Sequence, residues 1–368
     1  MAQPRIEISP TAKINDAEAL SRVYTPGVAD DCRVIADDPA AARRLTVRGN
    51  SVAVVSDGSA VLGLGDIGSR AALPVLEGKA ALYKRFAGID AWPLCLGVRE
   101  VPEMVRCISA VAPGFGGVSL EDIAAPRCFE LERRLREALD IPVFHDDQHG
   151  TSVVVLGALG NALRVTGKTL QDVRIVISGA GAAGSAIVRL LQAAGAGRIA
   201  VYDSRGALHP DRDDLAGEKK WLAEHTEPDP ARTRLGRALD GADVFIGVSG
   251  AGLLGEQDVA RMADGAIVFA LANPDPEIDP DLARRHAAVV ATGRSDEPNQ
   301  INNVLAFPGI FRGLLDGGMT ELTQAAQCAA AQAIADAVPD DERDAHHIVP
   351  DVFDEQLVPA VARAVMNA

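Results

Sequence analysis

The chain has 368 residues, more than one hydrophobic core usually encloses, so its length predicts two domains. Hydrophobic residues make up 48% and charged residues 24%, a composition that excludes a disordered chain, a collagen-like repeat and a small disulfide scaffold. The 51 acidic against 36 basic residues give a net charge of −15, which disfavours nucleic acid and anionic membranes as partners.

Two further features of the composition bear on location. No apolar run is long enough to span a bilayer, and Met1–Arg5 lacks the apolar stretch of a signal peptide. The five cysteines are scattered, without any CxxC spacing, as is typical of proteins in a reducing compartment. We therefore expect a cytoplasmic protein.

Short apolar runs alternate with longer amphipathic ones between about residues 46 and 315, the pattern of an α/β protein. Ser51–Ser56 and Ala60–Leu64 predict two strands joined as a hairpin by an Asp-Gly-Ser turn. Ala71–Ala87 predicts a helix. The next expected elements are the strands Ala91–Leu96, Gly117–Leu120 and Pro142–Phe144 and the helices Glu103–Ala112 and Arg127–Leu139.

A second series of strands follows the long apolar helix predicted for Gln148–Val165. Its expected strands are Arg174–Ser178, Arg198–Tyr202, Asp243–Val248, Ala266–Ala270 and Ala288–Ala291. The polar segment Glu218–Arg234 predicts a surface excursion, and the Ala-rich chain from Thr320 onward predicts helices. We therefore expect an N-terminal α/β domain (residues 1–150), a doubly wound α/β domain (151–318) and C-terminal helices (319–368) that pack back on the first domain.

A glycine motif opens the second domain, directly after the strand Arg174–Ser178. Gly179, Gly181 and Gly184 form G-x-G-x-x-G, in which the glycines allow a tight turn, close approach of a pyrophosphate, and helix–strand packing. Asp203 ends the next strand, where an acid holds the adenosine ribose. A Rossmann-type dinucleotide site is predicted, with these cofactor-binding residues: Gly179, Gly181, Ala182, Ala183, Gly184 and Asp203.

The residues after Asp203 leave the choice of dinucleotide open. A carboxylate at this position favours NAD, whereas the neighbouring Ser204 and Arg205 offer a hydroxyl and a guanidinium to the 2′-phosphate of NADP. A solvated Arg205 without any ligand explains the sequence equally well. The predicted cofactor is therefore NAD or NADP.

Two acidic pairs, Glu121-Asp122 and Asp146-Asp147, each follow a predicted strand of the first domain. Ligands gather at the carboxyl ends of strands in α/β sheets, so these side chains are expected to meet in one crevice. Mg²⁺ and Mn²⁺ prefer such oxygen ligands. The alternative is that each pair is a solvated loop or a helix cap. His145 and His149 flank the second pair, but no zinc-type His/Cys set accompanies them.

Lys79 and Tyr24 are the candidate proton-transfer groups. Lys79 lies in a mostly apolar predicted helix; it is either a snorkelling surface residue or a base whose ammonium form a dry cleft disfavours. Tyr24 precedes a Pro-Gly turn and is either a hydrogen-bonded anchor or a phenol acid.

These motifs together closely resemble the malic enzymes, in their compact prokaryotic form. The matching segments, in the family's order, are SRVYTPGVAD, DGSAVLGLGDIG, PVLEGKAALYKRFAGID, LEDIAAPRCFELE, FHDDQHGTSVVVLGAL, GAGAAG, ALANPDPEI and NQINNVLAFPGIFRG. The resemblance implies oxidative decarboxylation of (S)-malate to pyruvate and CO₂, with NAD(P)⁺ and a divalent metal, Mg²⁺ or Mn²⁺. It also implies a homodimer.

The resemblance also implies roles for individual residues. Glu121, Asp122 and Asp147 match the metal ligands. Lys79 matches the base that takes the C2 hydroxyl proton, with Asp146 beside it, and Tyr24 matches the acid that protonates C3 of enolpyruvate. The substrate-binding amides are matched by Asn273 and Asn303. We further expect Met1–Asp30 to pack on a partner subunit, so that Tyr24 and Lys79 of one site come from different chains.

One departure concerns the grip on the substrate. Longer members of the family carry an arginine where this chain has Ala60, so another group must receive that carboxylate: the metal, the amides, backbone N–H groups or a basic side chain such as Arg70. Three other functions compete with the main hypothesis: a malolactic enzyme that retains NADH, a nucleotide-sensing binding protein, and an amino-acid or folate-type dehydrogenase. The last needs no acidic metal set, and a binding protein would be expected to have lost part of it.

Overall fold

The computed structural model describes residues 4–61, 63–227 and 234–368. The helices in these ranges are α1 (Ala17–Val23), α2 (Val28–Asp37), α3 (Ala42–Leu45), α4 (Ser69–Ala87), α5 (Val101–Val111), α6 (Arg127–Ala138), α7 (Thr151–Thr166), α8 (Ala182–Ala193), α9 (Gly217–His225), α10 (Leu235–Ala238), α11 (Glu256–Val259), α12 (Pro280–Ala283), α13 (Phe307–Asp316), α14 (Gln324–Asp336) and α15 (Leu357–Met366). The strands are β1 (Ser51–Ser56), β2 (Asp90–Cys95), β3 (Gly117–Leu120), β4 (Val143–His145), β5 (Arg174–Ser178), β6 (Arg198–Asp203), β7 (Gly206–Ala207), β8 (Val244–Gly247), β9 (Ile267–Ala270) and β10 (Val289–Thr292).

The first sheet is parallel, with the strand order β2-β1-β3-β4. Helices cover both of its faces, so β1 is buried along its whole length and its sequence is almost entirely apolar. Val52 and Val54 belong to the core shared with α4, α7 and α13, whereas Ala53 and Val55 face the core of α5 and α6. Because all four strands run in the same direction, their carboxyl ends form one edge of the sheet.

The predicted hairpin between Ser51–Ser56 and Ala60–Leu64 is wrong. Both edges of β1 are occupied by parallel strands, and the chain after Ser56 forms a loop in which Val61 bridges only to Gly65; Leu62 lies outside the described residues. Asp57 holds the start of this loop, because its carboxylate accepts hydrogen bonds from the backbone N–H and the hydroxyl of Ser59. The loop therefore lies at the carboxyl edge of the sheet.

The second sheet has the order β10-β9-β8-β5-β6-β7 and is parallel except for the short β7. β5 lies between β8 and β6, so the order of the strands reverses at its carboxyl end, which is where doubly wound sheets bind ligands. The sheet thus opens its ligand-binding edge next to the glycine motif.

The C-terminal helices pack on helices of the second domain. α14 packs on α7 and α8, α15 packs on α13 and α14, and α13 in turn contacts α4. The buried Asn161 of α7 fixes this arrangement, because its amide donates to the carbonyl oxygens of Ala335 and Ile348, both at 2.9 Å. Small residues let the helices approach closely: a Cβ on Gly157 would lie 2.8 Å from the Ala331 carbonyl oxygen.

Two peripheral segments differ in their packing. The segment predicted as a polar excursion contains α9, whose Leu222 and Ala223 are buried, while residues 228–233 lie outside the described ranges. α1 and α2 bury only Ala19, and leave Leu20 and Val23 largely exposed. Among the helices of the described chain, none is long and apolar enough to cross a membrane.

Candidate active site

Three carboxylates meet at the carboxyl edge of the first sheet. Glu121 and Asp122 follow β3, and Asp147 lies in a π-type turn, Asp146–Gly150, that follows the neighbouring β4. One oxygen from each of the three carboxylates lies within 4.8 Å of the others. Asp122 adopts a left-handed backbone conformation with φ of 53°, and its N–H donates to Asp147 Oδ2 at 3.1 Å. This unusual backbone is strained and ties the two acidic pairs together.

The donor set fits a hard divalent cation such as Mg²⁺ or Mn²⁺. All three ligand atoms are carboxylate oxygens, the type of ligand that these cations select. Burial raises the pKa of Glu121 well above its ordinary value, and the neighbouring carboxylates raise it further, although Lys79 opposes them. Buried carboxylates this close together need more positive charge than one lysine supplies. A divalent cation would provide that charge.

Lys79 projects from α4 into the same cluster. Its Nζ lies 2.6 Å from Asp146 Oδ2 and 3.2 Å from Glu121 Oε2, and the ring of Phe307 packs 4.0 Å from it. Burial favours the neutral amine, but the charges of Asp146 and Glu121 outweigh burial and raise the pKa of Lys79. Without bound ligands the side chain is therefore an ammonium ion. It is buried rather than a snorkelling surface residue.

The amide of Asn303 reaches this cluster and that of Asn273 does not. Asn303 Nδ2 donates to Asp146 Oδ2 at 2.8 Å, so this one carboxylate oxygen accepts hydrogen bonds from both Asn303 and Lys79. Asn273 follows β9 at an exposed position, and its amide donates to the Leu271 carbonyl oxygen at 3.4 Å. Its backbone nevertheless abuts the first domain, because a Cβ on Gly63 would lie 2.4 Å from the Asn273 carbonyl oxygen.

Tyr24 lies at the carboxyl end of α1. Its side chain is 68% exposed, whereas that of Lys79 is 9% exposed. Within the described chain the phenol is therefore largely in solvent, whereas the amine is buried. Arg70, the candidate for gripping a substrate carboxylate, is exposed in the first turn of α4.

The glycine motif forms a cradle at the start of α8. Gly179 has φ of 120°, and a Cβ there would lie 2.7 Å from the Val248 carbonyl oxygen; a Cβ on Gly184 would lie 1.9 Å from the Gly179 oxygen. Gly181, by contrast, faces open space, so the first backbone N–H groups of α8 beside Ala182 and Ala183 are accessible. The cradle fits a pyrophosphate, which binds such N–H groups.

A cavity of about 1010 Å³ extends from this cradle between the two domains. Its lining includes Ala125, Pro126 and Phe129 of the first domain, together with Gly181 and Asp203 of the second. The first-domain residues begin only three positions after Asp122. The cavity therefore lies between the glycine motif and the loop that follows β3, and it has room for an extended dinucleotide.

Asp203 is paired with two basic side chains that the sequence analysis did not identify. Both of its oxygens accept from Arg212, at 2.9 and 3.2 Å, and Oδ2 also accepts from Lys219 at 2.7 Å. Partial burial favours the protonated acid, but these hydrogen bonds dominate and lower the pKa of Asp203 to about 2. Arg205 donates its backbone N–H to Asp203, while its largely exposed side chain pairs with Asp214.

Sequence reasoning missed Arg212, Lys219 and Phe307 as parts of the two sites. The two cations lie in or next to the polar segment that was predicted as a surface excursion, and only the fold brings them to Asp203. Phe307 reads as an ordinary core residue of α13, and nothing in its spacing points to Lys79.

Comparison with known proteins agrees with this architecture. Residues 3–136 match the family model for the malic enzyme N-terminal domain, and residues 148–368 match that for the malic enzyme NAD binding domain. The chain is 53% identical to the NAD-dependent malic enzyme of Geobacillus stearothermophilus over 99% of this chain and 76% of that protein.

Two further relatives are similar over nearly their whole lengths. Identity to the bifunctional malic/malolactic enzyme of Bacillus subtilis is 49% over 100% of this chain and 90% of that protein. The crystal structure of the NAD-dependent malic enzyme from Thermotoga maritima has a TM-score of 0.93 at 46% identity, covering 98% of this chain and 96% of that one. The resemblance and the fold class predicted from the sequence are confirmed: the chain belongs to the malic enzyme family.

Proposed function

We propose that this chain catalyses the oxidative decarboxylation of (S)-malate to pyruvate and CO₂ with reduction of NAD⁺ or NADP⁺, and that it depends on Mg²⁺ or Mn²⁺. The observation that carries this proposal is a cluster of three carboxylates and a buried lysine beside a cleft with a glycine cradle. In this proposal residues 1–150 form the catalytic domain, residues 151–318 bind the dinucleotide, and residues 319–368 are C-terminal helices that pack back on the first domain.

Glu121, Asp122 and Asp147 hold the divalent cation in this proposal, and the cradle from Gly179 to Gly184 holds the dinucleotide. When bound, the nicotinamide would supply a hydride acceptor for C2 of malate, and the cation would supply a Lewis acid. Glu121, which would hold the cation, lies 3.2 Å from Lys79 Nζ, so the cation's charge would lie close to this amine.

Lys79 takes the proton from the C2 hydroxyl. To do so it must be a neutral amine, and the ammonium form is stabilised chiefly by Asp146 and Glu121. A divalent cation held by Glu121 would offset the charge of that carboxylate and so lower the pKa of Lys79. Asp146, fixed by Asn303, then orients the amine towards the substrate.

The two amides orient the dicarboxylate, since each presents both a donor and an acceptor. Asn303 is next to Asp146, and Asn273 is on the loop that the second domain brings against Gly63. In this proposal Asn273 also contacts the nicotinamide half of the cofactor, and Ser204 and Arg205 contribute to its adenosine end. Ala60, in place of an arginine, leaves the second carboxylate to these amides, to backbone N–H groups or to Arg70.

Tyr24 completes the site from a partner subunit of a homodimer, and it delivers the proton to C3 of enolpyruvate. Two observations support this placement. The phenol is 68% exposed within its own chain, and Leu20, Val23 and Val34 of the same helix pair are also exposed, at 51%, 43% and 44%. Apolar residues grouped on helices that bury almost nothing are typical of a surface that another subunit covers.

The direct test is an assay of (S)-malate with NAD⁺ and with NADP⁺, each with Mn²⁺ or with a chelator. The proposal predicts formation of reduced dinucleotide and pyruvate that requires Mn²⁺. Turnover that a chelator leaves unchanged would contradict the metal assignment, and the absence of turnover with either dinucleotide would contradict the reaction.

A second candidate is malolactic chemistry, in which the site retains NADH and returns the hydride to pyruvate. The similarity to the bifunctional malic/malolactic enzyme of Bacillus subtilis supports this second reaction as a candidate. The same assay separates the two reactions, because the malolactic reaction yields lactate without accumulating free NADH.

A further inference from the structure

A buried chain of close polar contacts leads away from Asp147 towards α6. His145 Nε2 lies 3.0 Å from Asp147 Oδ2, and His145 Nδ1 lies 2.8 Å from Gln148 Nε2. Gln148 Nε2 also donates to Glu132 Oε2 at 2.8 Å, and Glu132 Oε1 lies 2.6 Å from His149 Nε2. The chain thus links Asp147 to a residue of a different element, 15 positions earlier in the sequence.

Glu132 is costly to bury unless its partners compensate for it. It lies on α6 between Leu131 and Leu135, both fully buried, and its own side chain is 7% exposed. A carboxylate in such surroundings is tolerated only when it is hydrogen-bonded. Gln148 and His149 both bond to it, so its two oxygens are satisfied.

The pairing determines which groups donate. The Gln148 amide nitrogen carries two hydrogens: one donates to the Glu132 carboxylate and the other points to His145 Nδ1, which must therefore accept. The other ring nitrogen, Nε2, faces Asp147 Oδ2 at 3.0 Å. Rotating the amide would instead place its oxygen against the Glu132 carboxylate, so Glu132 selects the orientation.

We propose that Glu132 is a positioning residue for the metal ligand Asp147, acting through Gln148 and His145. The carboxylate fixes the Gln148 amide, the amide fixes the imidazole, and the imidazole aims the Asp147 carboxylate. This inference rests on the proposed role of Asp147 as a ligand. Groups that orient a ligand in this way typically contribute about 10–100-fold to metal affinity.

The test measures the affinity of the full-length chain for Mn²⁺ by calorimetric titration without substrate. Glu132→Gln keeps the size of the side chain but leaves one acceptor oxygen for two donors, and Gln148→Met removes the amide. The matched control is Glu137→Gln on the same helix, where Glu137 is 63% exposed and pairs only with Arg133 among the ion pairs of the described chain.

Each of the two single variants is expected to raise the Kd for Mn²⁺ about tenfold, and the control less than twofold. The double variant is expected to lose about as much affinity for Mn²⁺ as the more strongly affected single variant, because the two residues act in one chain. Gln148→Met alone tests the imidazole step if Glu132→Gln does not fold.

Unchanged Kd values in folded variants, or losses that add independently, would overturn the positioning role while leaving the metal site intact. Absence of Mn²⁺ binding by the unaltered chain would instead overturn the ligand assignment itself, and this inference with it.

Discussion

Replacing Lys79 with methionine is expected to separate turnover from metal binding. The ammonium lies 3.2 Å from Glu121 Oε2, an attraction of about 5 kcal/mol at an effective dielectric constant of about 20. A cation bound by Glu121 competes with that attraction, so Lys79→Met is expected to bind Mn²⁺ at least as tightly as the unaltered chain. The loss of a general base nevertheless lowers the turnover of malate about 10²–10⁴-fold.

The same substitution has a signature in stability. Without Mn²⁺ it leaves Asp146 and Glu121 buried without their shared partner, which is expected to cost about 3–5 kcal/mol of the free energy of unfolding. Saturating Mn²⁺ is expected to restore part of that loss. Urea unfolding with and without Mn²⁺, and turnover at saturating Mn²⁺, measure both effects.

The control is Lys84→Met, five residues further along α4, where Lys84 is 63% exposed and pairs with Asp90. It is expected to keep turnover and stability close to those of the unaltered chain. Turnover of Lys79→Met within tenfold of the unaltered chain, or a clearly weaker affinity for Mn²⁺, would refute the role assigned to this lysine.

Three other predictions concern the cofactor end, pH and the dimer. Lys219→Ala is expected to weaken NADP⁺ binding about tenfold more than NAD⁺ binding, because Lys219 lies beside Asp203 and its side chain is partly exposed. The control Lys220→Ala is expected to weaken the binding of neither dinucleotide. Equal losses for both dinucleotides in Lys219→Ala would contradict this prediction. The lowered pKa of Asp203, about 2 against an ordinary 3.8, means that its stabilising effect is complete above pH 3.8 and is lost as the pH falls through 2. Asp203→Asn should therefore flatten the pH dependence of the unfolding free energy in that range, and an unchanged slope would show that Asp203 is not responsible. Mixing the inactive Tyr24→Phe and Lys79→Met chains is expected to restore about a quarter of the activity if sites are shared between subunits, and none if they are not.

The sequence predicts the elements of the two sheets well, because their strands are apolar runs bounded by turn residues. Gly117–Leu120 and Arg174–Ser178 agree with the structure at both ends. The prediction of a hairpin was wrong because Ala60–Leu64 has a strand-like composition, while the strands that pair with β1 lie much further along the chain. Pairing between distant strands leaves no local signal.

The acidic cluster is partly visible in the sequence for the same reason. Glu121 and Asp147 follow neighbouring parallel strands, so their meeting follows from the order of the strands, and the structure brings them together with Lys79. Arg212, Lys219 and Glu132 reach their partners only through tertiary packing. The roles of the site residues, the domain boundaries and the sharing of Tyr24 between subunits stay predictions.

Anomalous diffraction from Mn²⁺ in crystals of this chain tests the central claim most directly. We expect one strong peak with an oxygen of each of Glu121, Asp122 and Asp147 within about 2.0–2.6 Å of it. A site that forms elsewhere, or that leaves out these carboxylates while the crystals still convert malate, would contradict the account.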